Sequence, residues 1–128
     1  MPAPTSEMAE TPVRTKSIYE PADPNDGRRV LATRYWPRGI RKTAADEYVR
    51  KLGPSRDLLY AFKRGEIGWE TFRARYFQEM EGEEAKSEIR RLADVARSER
   101  ITVLCVCRDE RECHRSLLRE LILKSRET

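Results

Sequence analysis

The thirteen residues VCRDERECHRSLL, 106 to 118, hold two cysteines, the chain's only histidine and three arginines. They follow the apolar run ITVLCVC, so a strand would deliver them to a loop and then to a helix start at Cys113-His114-Arg115-Ser116. The first turn of a helix has unpaired N–H groups and the positive end of the helix dipole, so an anion binds there readily. Arg115 and Ser116 add further donors. The same position lowers a thiol pKa, which makes Cys113 the expected nucleophile, with His114 as its base or as a donor to phosphate. Cys105 and Cys107, two apart on a strand, share one face and read as small apolar fillers without chemistry. Zinc sites separate paired ligands by roughly two to four residues, a spacing that Cys105, Cys107, Cys113 and His114 do not follow, so no metal and no other cofactor is expected.

A second chemistry-bearing stretch is RYWPRGI, residues 34 to 40. Pro37 cannot join a ladder, Gly39 permits an unusual backbone angle, and Arg34, Trp36 and Arg38 would line the loop. Trp36 could stack on a base or cover the edge of the core. Residues 28 to 42 carry six cations and no acid, a local +6 that leaves 4 − 6 = −2 for the rest of the chain. Guanidinium suits planar contacts to phosphate, and a patch of this kind attracts nucleic acid, nucleotides or phosphorylated substrates. A covalent alternative follows from the order strand, Cys, loop, Arg, helix, which is that of thiol phosphatases and rhodanese-type sulfurtransferases. Seven residues separate Cys107 from Arg115, however, and no glycine lies between 107 and 116 to build a tight phosphate nest.

The elements that would position these loops follow from pattern. With 128 residues and no run near the roughly 20 apolar residues of a membrane span, the chain reads as one modest cytosolic domain. Three cysteines within nine residues form no secreted disulfide framework. Residues 1 to 13 have no apolar period and are expected to be a mobile tail, with a single domain over 14–128. RTKSIYE and RRVLATRY read as strands joined by the turn-forming PADPNDG. Thr43 with Asp46 resembles a capping box opening a helix through AADEYVRKL, which Gly53-Pro54 would stop before Ser55 caps the next. Helical spacing continues over 55–65, 69–80 and 83–98, and the last helix carries Leu117, Leu118, Leu121 and Ile122 on one face. ITVLCVC, apolar without alternation, is the expected central strand of a parallel sheet. The expected fold is α/β: about three mainly parallel strands covered by helices, with ligands at the carboxyl ends of the strands.

Four segments, DGRRVLATRYWPRGI, KLGPS, FRARY and CHRSLL, resemble the family called domain of unknown function 488, over roughly residues 14 to 123. The resemblance implies a small α/β fold. Thr33 stands where that family's pattern often has an aspartate, so a hydrolase built on that carboxylate is not implied. The two family-like motifs coincide with the two loops chosen on physical grounds. The expected function is therefore binding of a phosphate-bearing ligand, nucleic acid or nucleotide, in a pocket of Arg34, Arg38, Arg115 and Ser116 closed by Trp36. The alternatives are an enzyme using Cys113 or His114 on a phosphorylated, sulfur-bearing or nucleoside substrate, and a structural or adaptor domain.

Overall fold

A computed structural model describes residues 12–107 and 110–127. Most of the expected tail, residues 1–11, lies outside the described residues, and the first strand already begins at Val13. Four strands, β1 (Val13–Ser17), β2 (Arg28–Leu31), β3 (Glu47–Tyr48) and β4 (Ile101–Cys105), form one parallel sheet in the order β1-β4-β2-β3. Four helices accompany them: α1 (Arg56–Lys63), α2 (Trp69–Glu79), α3 (Glu83–Val95) and α4 (His114–Glu127).

β4, the first five residues of the apolar run, is buried along its whole length because it is paired on both sides and covered on both faces, while Val106 beyond it is exposed. Along a strand the side chains alternate, so Val13, Val30, Ala32, Ile101 and Val103 share one face. The helices pack there, with Leu58 from α1, Phe72 and Tyr76 from α2, Ile89 and Leu92 from α3, and Leu117, Leu118 and Ile122 from α4 in the same cluster. The opposite face is covered by loops: Leu31 and Leu104 meet Ile18, Trp36, Ile40, Ala44, Ala45 and Tyr48. Asp26 is buried beside that apolar group and gathers Lys16 of β1 and Arg29 of β2 at 3.1 and 2.6 Å. Ser55 caps α1 as its type predicts, its hydroxyl accepting from the Leu58 amide at 3.2 Å.

The expected helix over 43–52 is absent. Lys42–Ala44 and Arg50–Leu52 form single 3-10 turns, and between them Glu47 and Tyr48 pair with Val30 and Leu31. The reason is tertiary. The open edge of β2 offers backbone partners, the Asp46 carboxylate accepts the Arg29 amide at 2.8 Å, and the Val49 amide reaches the Leu31 carbonyl at 2.9 Å. Local helix propensity of a few tenths of a kcal/mol per residue yields to such pairing. Gly53 also has another purpose than stopping a helix. Its φ is −79°, open to any residue, but a Cβ there would lie 2.5 Å from the Arg34 amide nitrogen and 2.6 Å from the Thr33 carbonyl carbon. The KLGPS segment is thus pressed against the loop that leaves β2.

Burial alone would raise the Asp26 pKa, but hydrogen bonds from the Asp23 amide, Lys16 and Arg29 outweigh it and hold the carboxyl below its ordinary value. The stability this supplies is complete above the unfolded carboxylate range of about pH 4 and is lost as pH falls through the lower folded value. Asp26→Asn, which leaves two nearly buried cations unpaired, is expected to cost about 3–5 kcal/mol in urea unfolding and to flatten the acid limb of the stability profile. Gly53→Ala is expected to destabilise by about 1–3 kcal/mol in the same measurement, because backbone rather than a movable side chain opposes the added methyl.

Candidate active site

β2 and β4 are parallel neighbours, so the loops that leave them emerge at the same edge of the sheet. They touch directly: the ring Nε2 of His114, at the start of α4, bonds the carbonyl of Ala32, just past the end of β2. A carbonyl only accepts, so Nε2 carries the proton and Nδ1 keeps a lone pair. His114 is buried and lies 5.6 Å from the Tyr76 ring. Burial pushes its pKa below the ordinary value against the pull of the Ala32 bond, so the imidazole is neutral at pH 7.

The same contact line brings three thiols together. Cys105, the last residue of β4, has its sulfur 2.6 Å from that of Cys113, and both are buried. Cys107, two residues beyond, is partly exposed, and its amide donates to the Cys105 sulfur at 3.3 Å. Arg115, buried in the first turn of α4, donates from NH1 to the Cys107 carbonyl at 3.1 Å. Its Nε has no hydrogen-bond partner, and no carboxylate pairs with the guanidinium among the described residues.

The environments of Cys107 and Cys113 differ in direction: one lowers its thiol's pKa and the other raises it. The neighbouring thiols of Cys105 and Cys113, then the positive charge of Arg115, hold the Cys107 pKa down to about 3 against its own desolvation. Cys105, with Cys107 beside it, is pushed up to about 12, and Cys113, against the Cys105 sulfur and buried, is pushed up further. The lowered value falls on the sulfur that solvent reaches, while the neighbouring sulfur of Cys105, together with burial, pushes the Cys113 thiol up despite its place at the helix start.

Cys105, Cys113 and His114 also have ligand atoms within 4.8 Å of one another. Two thiolates on one tetrahedral cation with bonds of about 2.3 Å stand roughly 3.7 Å apart. The 2.6 Å sulfur contact is shorter, so the cluster as it stands is a set of thiols in contact and not a preformed chelate.

The remaining expected residues are distributed around this point. Arg34, half-buried, spends Nε on the Pro54 carbonyl at 3.2 Å. Its own carbonyl accepts from the Tyr48 hydroxyl at 3.1 Å and from Arg50 Nε at 3.0 Å, which pins the loop. Trp36 turns to the loop-covered face, donating Nε1–H to the Ile40 carbonyl at 2.8 Å and meeting Tyr48 edge-on at 5.2 Å, so its indole anchors the loop on the protein. Arg38 is exposed beside Gly39, whose φ of 80° requires glycine. Ser116 lies in the first turn of α4, its amide on the Cys113 carbonyl at 3.1 Å. The basic stretch is partly neutralised within the fold: Arg28 pairs with Glu47 and Glu99, and Arg29 with Asp26. A groove lies elsewhere, between α2, α3 and the far half of α4, and is lined by Arg73, Phe77, Ile89, Glu120 and Leu121 among others. No helix among the described residues is long and apolar enough to cross a membrane.

Comparison with known proteins places this geometry in a family. A family model described as "Active DUF488-N3 subclade" (DUF488-N3a) matches residues 13–126. The chain is 37% identical over 108 residues to the uncharacterised protein YeaO of Escherichia coli (strain K12), covering 83% of this chain and 92% of that one. It is 33% identical over 117 residues to the uncharacterised protein Rv3073c of Mycobacterium tuberculosis (strain ATCC 25618 / H37Rv), covering 90% and 97%. No solved structure matches it significantly. Since the family match runs from the first residue of β1 to within two residues of the chain's end and so takes in both loops, the chain belongs to the DUF488 family, in its DUF488-N3 subclade.

Proposed function

We propose that the chain is a thiol-dependent enzyme whose nucleophile is the Cys107 thiolate and whose substrate is anionic. The observation that carries this reading is the buried guanidinium of Arg115, set against Cys107 with no carboxylate partner among the described residues and one N–H unpaired. A buried cation of that kind needs a nearby anion, and the Cys107 thiolate is the group in place to supply it. A thiolate is the reactive form of cysteine, and this one stands at the carboxyl end of a central parallel strand, where open α/β sheets take their ligands. His114, neutral and with a free Nδ1 lone pair, is the base that takes up or returns a proton. Arg34, Arg38 and Ser116, on the flanking loop and the helix turn, are the contacts for the anionic part of a phosphorylated, sulfur-bearing or nucleoside substrate. The word "Active" in the description of the matched family accords with an enzyme.

A second reading, binding of a phosphate-bearing ligand such as nucleic acid or a nucleotide, is favoured by one observation: Arg38, Arg41 and Lys42 are exposed together on the turn after Trp36. In that case Arg34 and Arg115 complete the basic edge.

With a Cys107 pKa of about 3, its alkylation by iodoacetamide, mapped by peptide mass spectrometry, is expected to keep one rate between about pH 5 and pH 8. An ordinary thiol accelerates about tenfold per pH unit over that range. Arg115→Met is expected to raise the pH at which alkylation begins to fall off, while Arg38→Ala leaves it unchanged. A Cys107 that follows the ordinary thiol profile refutes the enzyme reading. The binding reading predicts retention of single-stranded DNA or RNA that weakens steeply with salt, and an Arg38→Ala salt slope smaller by about one contact. Salt-insensitive or absent retention refutes it.

A further inference from the structure

Cys105 and Cys113 are buried, and their sulfurs meet at 2.6 Å. The backbone around them is pinned from several sides. The Cys105 carbonyl accepts the Ile18 amide, just past β1, at 2.8 Å, and the Leu104 carbonyl accepts the Ala32 amide, just past β2, at 3.0 Å. The Ala32 carbonyl in turn holds the ring of His114, the residue next to Cys113. The end of β4 and the start of α4 are thus fixed against the same neighbours, with the two sulfurs between them. A disulfide bond is about 2.05 Å long, so side-chain movement of about half an ångström separates this contact from a bond. We infer that Cys105 and Cys113 form a redox-active dithiol, a two-electron modification site that a small peroxide converts into an internal disulfide joining the end of β4 to the start of α4. The site does not depend on the assignment of Cys107 as nucleophile.

With hydrogen peroxide the chemistry balances in two steps. One thiol gives its proton to the His114 ring, which has a nitrogen within 4.8 Å of both sulfurs. The resulting thiolate attacks one peroxide oxygen; an S–O bond forms, the O–O bond breaks, and the departing hydroxide takes the proton back from the imidazole as water. The second thiol then attacks the sulfenic sulfur. The S–S bond forms, the S–O bond breaks, and hydroxide leaves with the second thiol's proton as another water. Two electrons pass from the dithiol to the peroxide, and an external thiol restores the reduced pair by exchange. Both sulfurs lie one residue along the chain from the surface, since Val106 beside Cys105 and Glu112 beside Cys113 are exposed, so an oxidant close to water in size is the one that fits. Cys107 touches the pair through its amide, which donates to the Cys105 sulfur at 3.3 Å. Neighbouring cysteines and burial hold the pKa values of Cys105 and Cys113 up, so the pair oxidises slowly and the end state, not the rate, reports on it.

The experiment treats the full, reduced chain with hydrogen peroxide at neutral pH. In Cys107→Ser, where Cys105 and Cys113 are the cysteines that remain, the expected result is the loss of two hydrogens, about 2 Da, reversed by dithiothreitol. In the wild type, non-reducing tryptic digestion is expected to leave the peptide 101–108 joined to the peptide 112–115, with fragmentation placing the bond on Cys105 and not on Cys107. Wild-type mapping does not depend on the variant folding, and circular dichroism checks the variant. Oxygen gained without a cross-link in Cys107→Ser, a pair of thiols that peroxide leaves unchanged, or a wild-type bond made by Cys107 overturns the inference. Each of these outcomes leaves the Cys107 nucleophile untouched, because its alkylation profile is a separate measurement.

Discussion

The insertion of β4 between β1 and β2 is the constraint on which everything else in this molecule rests. β1 and β2 are close in sequence yet do not pair; each is completed by a strand that enters the chain some seventy residues later. Because β4 comes in parallel to both, its carboxyl end arrives beside the carboxyl end of β2, and the residues that follow it have nowhere to go but across that edge. The His114–Ala32 hydrogen bond closes the gap between them and sets where α4 begins. Remove the central strand and the thiols, the imidazole and the β2 loop have no common location.

What that edge holds is an electrostatic problem solved by sharing. Arg115 is buried, and a guanidinium does not lose its proton in a protein. Among the described residues the guanidinium lies against the Cys107 carbonyl, and the Cys105 and Cys113 thiols stand close by. The neighbouring thiols, and after them the charge of Arg115, lower the Cys107 pKa, while those of Cys105 and Cys113 are raised. Titrations so coupled belong to the group and not to one residue.

The motif residues around the edge divide into chemistry and carpentry. Trp36, Tyr48, Arg50, Gly53 and Pro54 all act on the loop after β2: indole and phenol packed edge to face, two donors on the Arg34 carbonyl, a glycine admitting backbone against backbone. Tyr76, buried with its hydroxyl on the Leu52 carbonyl at 2.8 Å, ties the helix layer to the same segment and supports the His114 ring. These contacts fix the loop after β2 beside the start of α4.

Much of the fold was legible in the sequence because it is written in local pattern. Seven apolar residues without alternation mark β4 as buried on both faces, Ser55 marks a cap, and the stripe Ala85, Ile89, Leu92, Ala93 marks a helix on a sheet. The choice of the sheet's carboxyl edge, and of the segment from Cys113 to Ser116, followed from the same reading. Tertiary structure alone decided the rest. β3 is two residues long and exists only because β2 has an edge to fill, so no propensity could announce it. Likewise, nothing in the spacing of Cys105 and Cys113 says that a strand end and a helix start will bring their sulfurs into contact. Which thiol ionises depends on burial and on a cation eight residues away, and both are distances in space that a linear pattern does not encode.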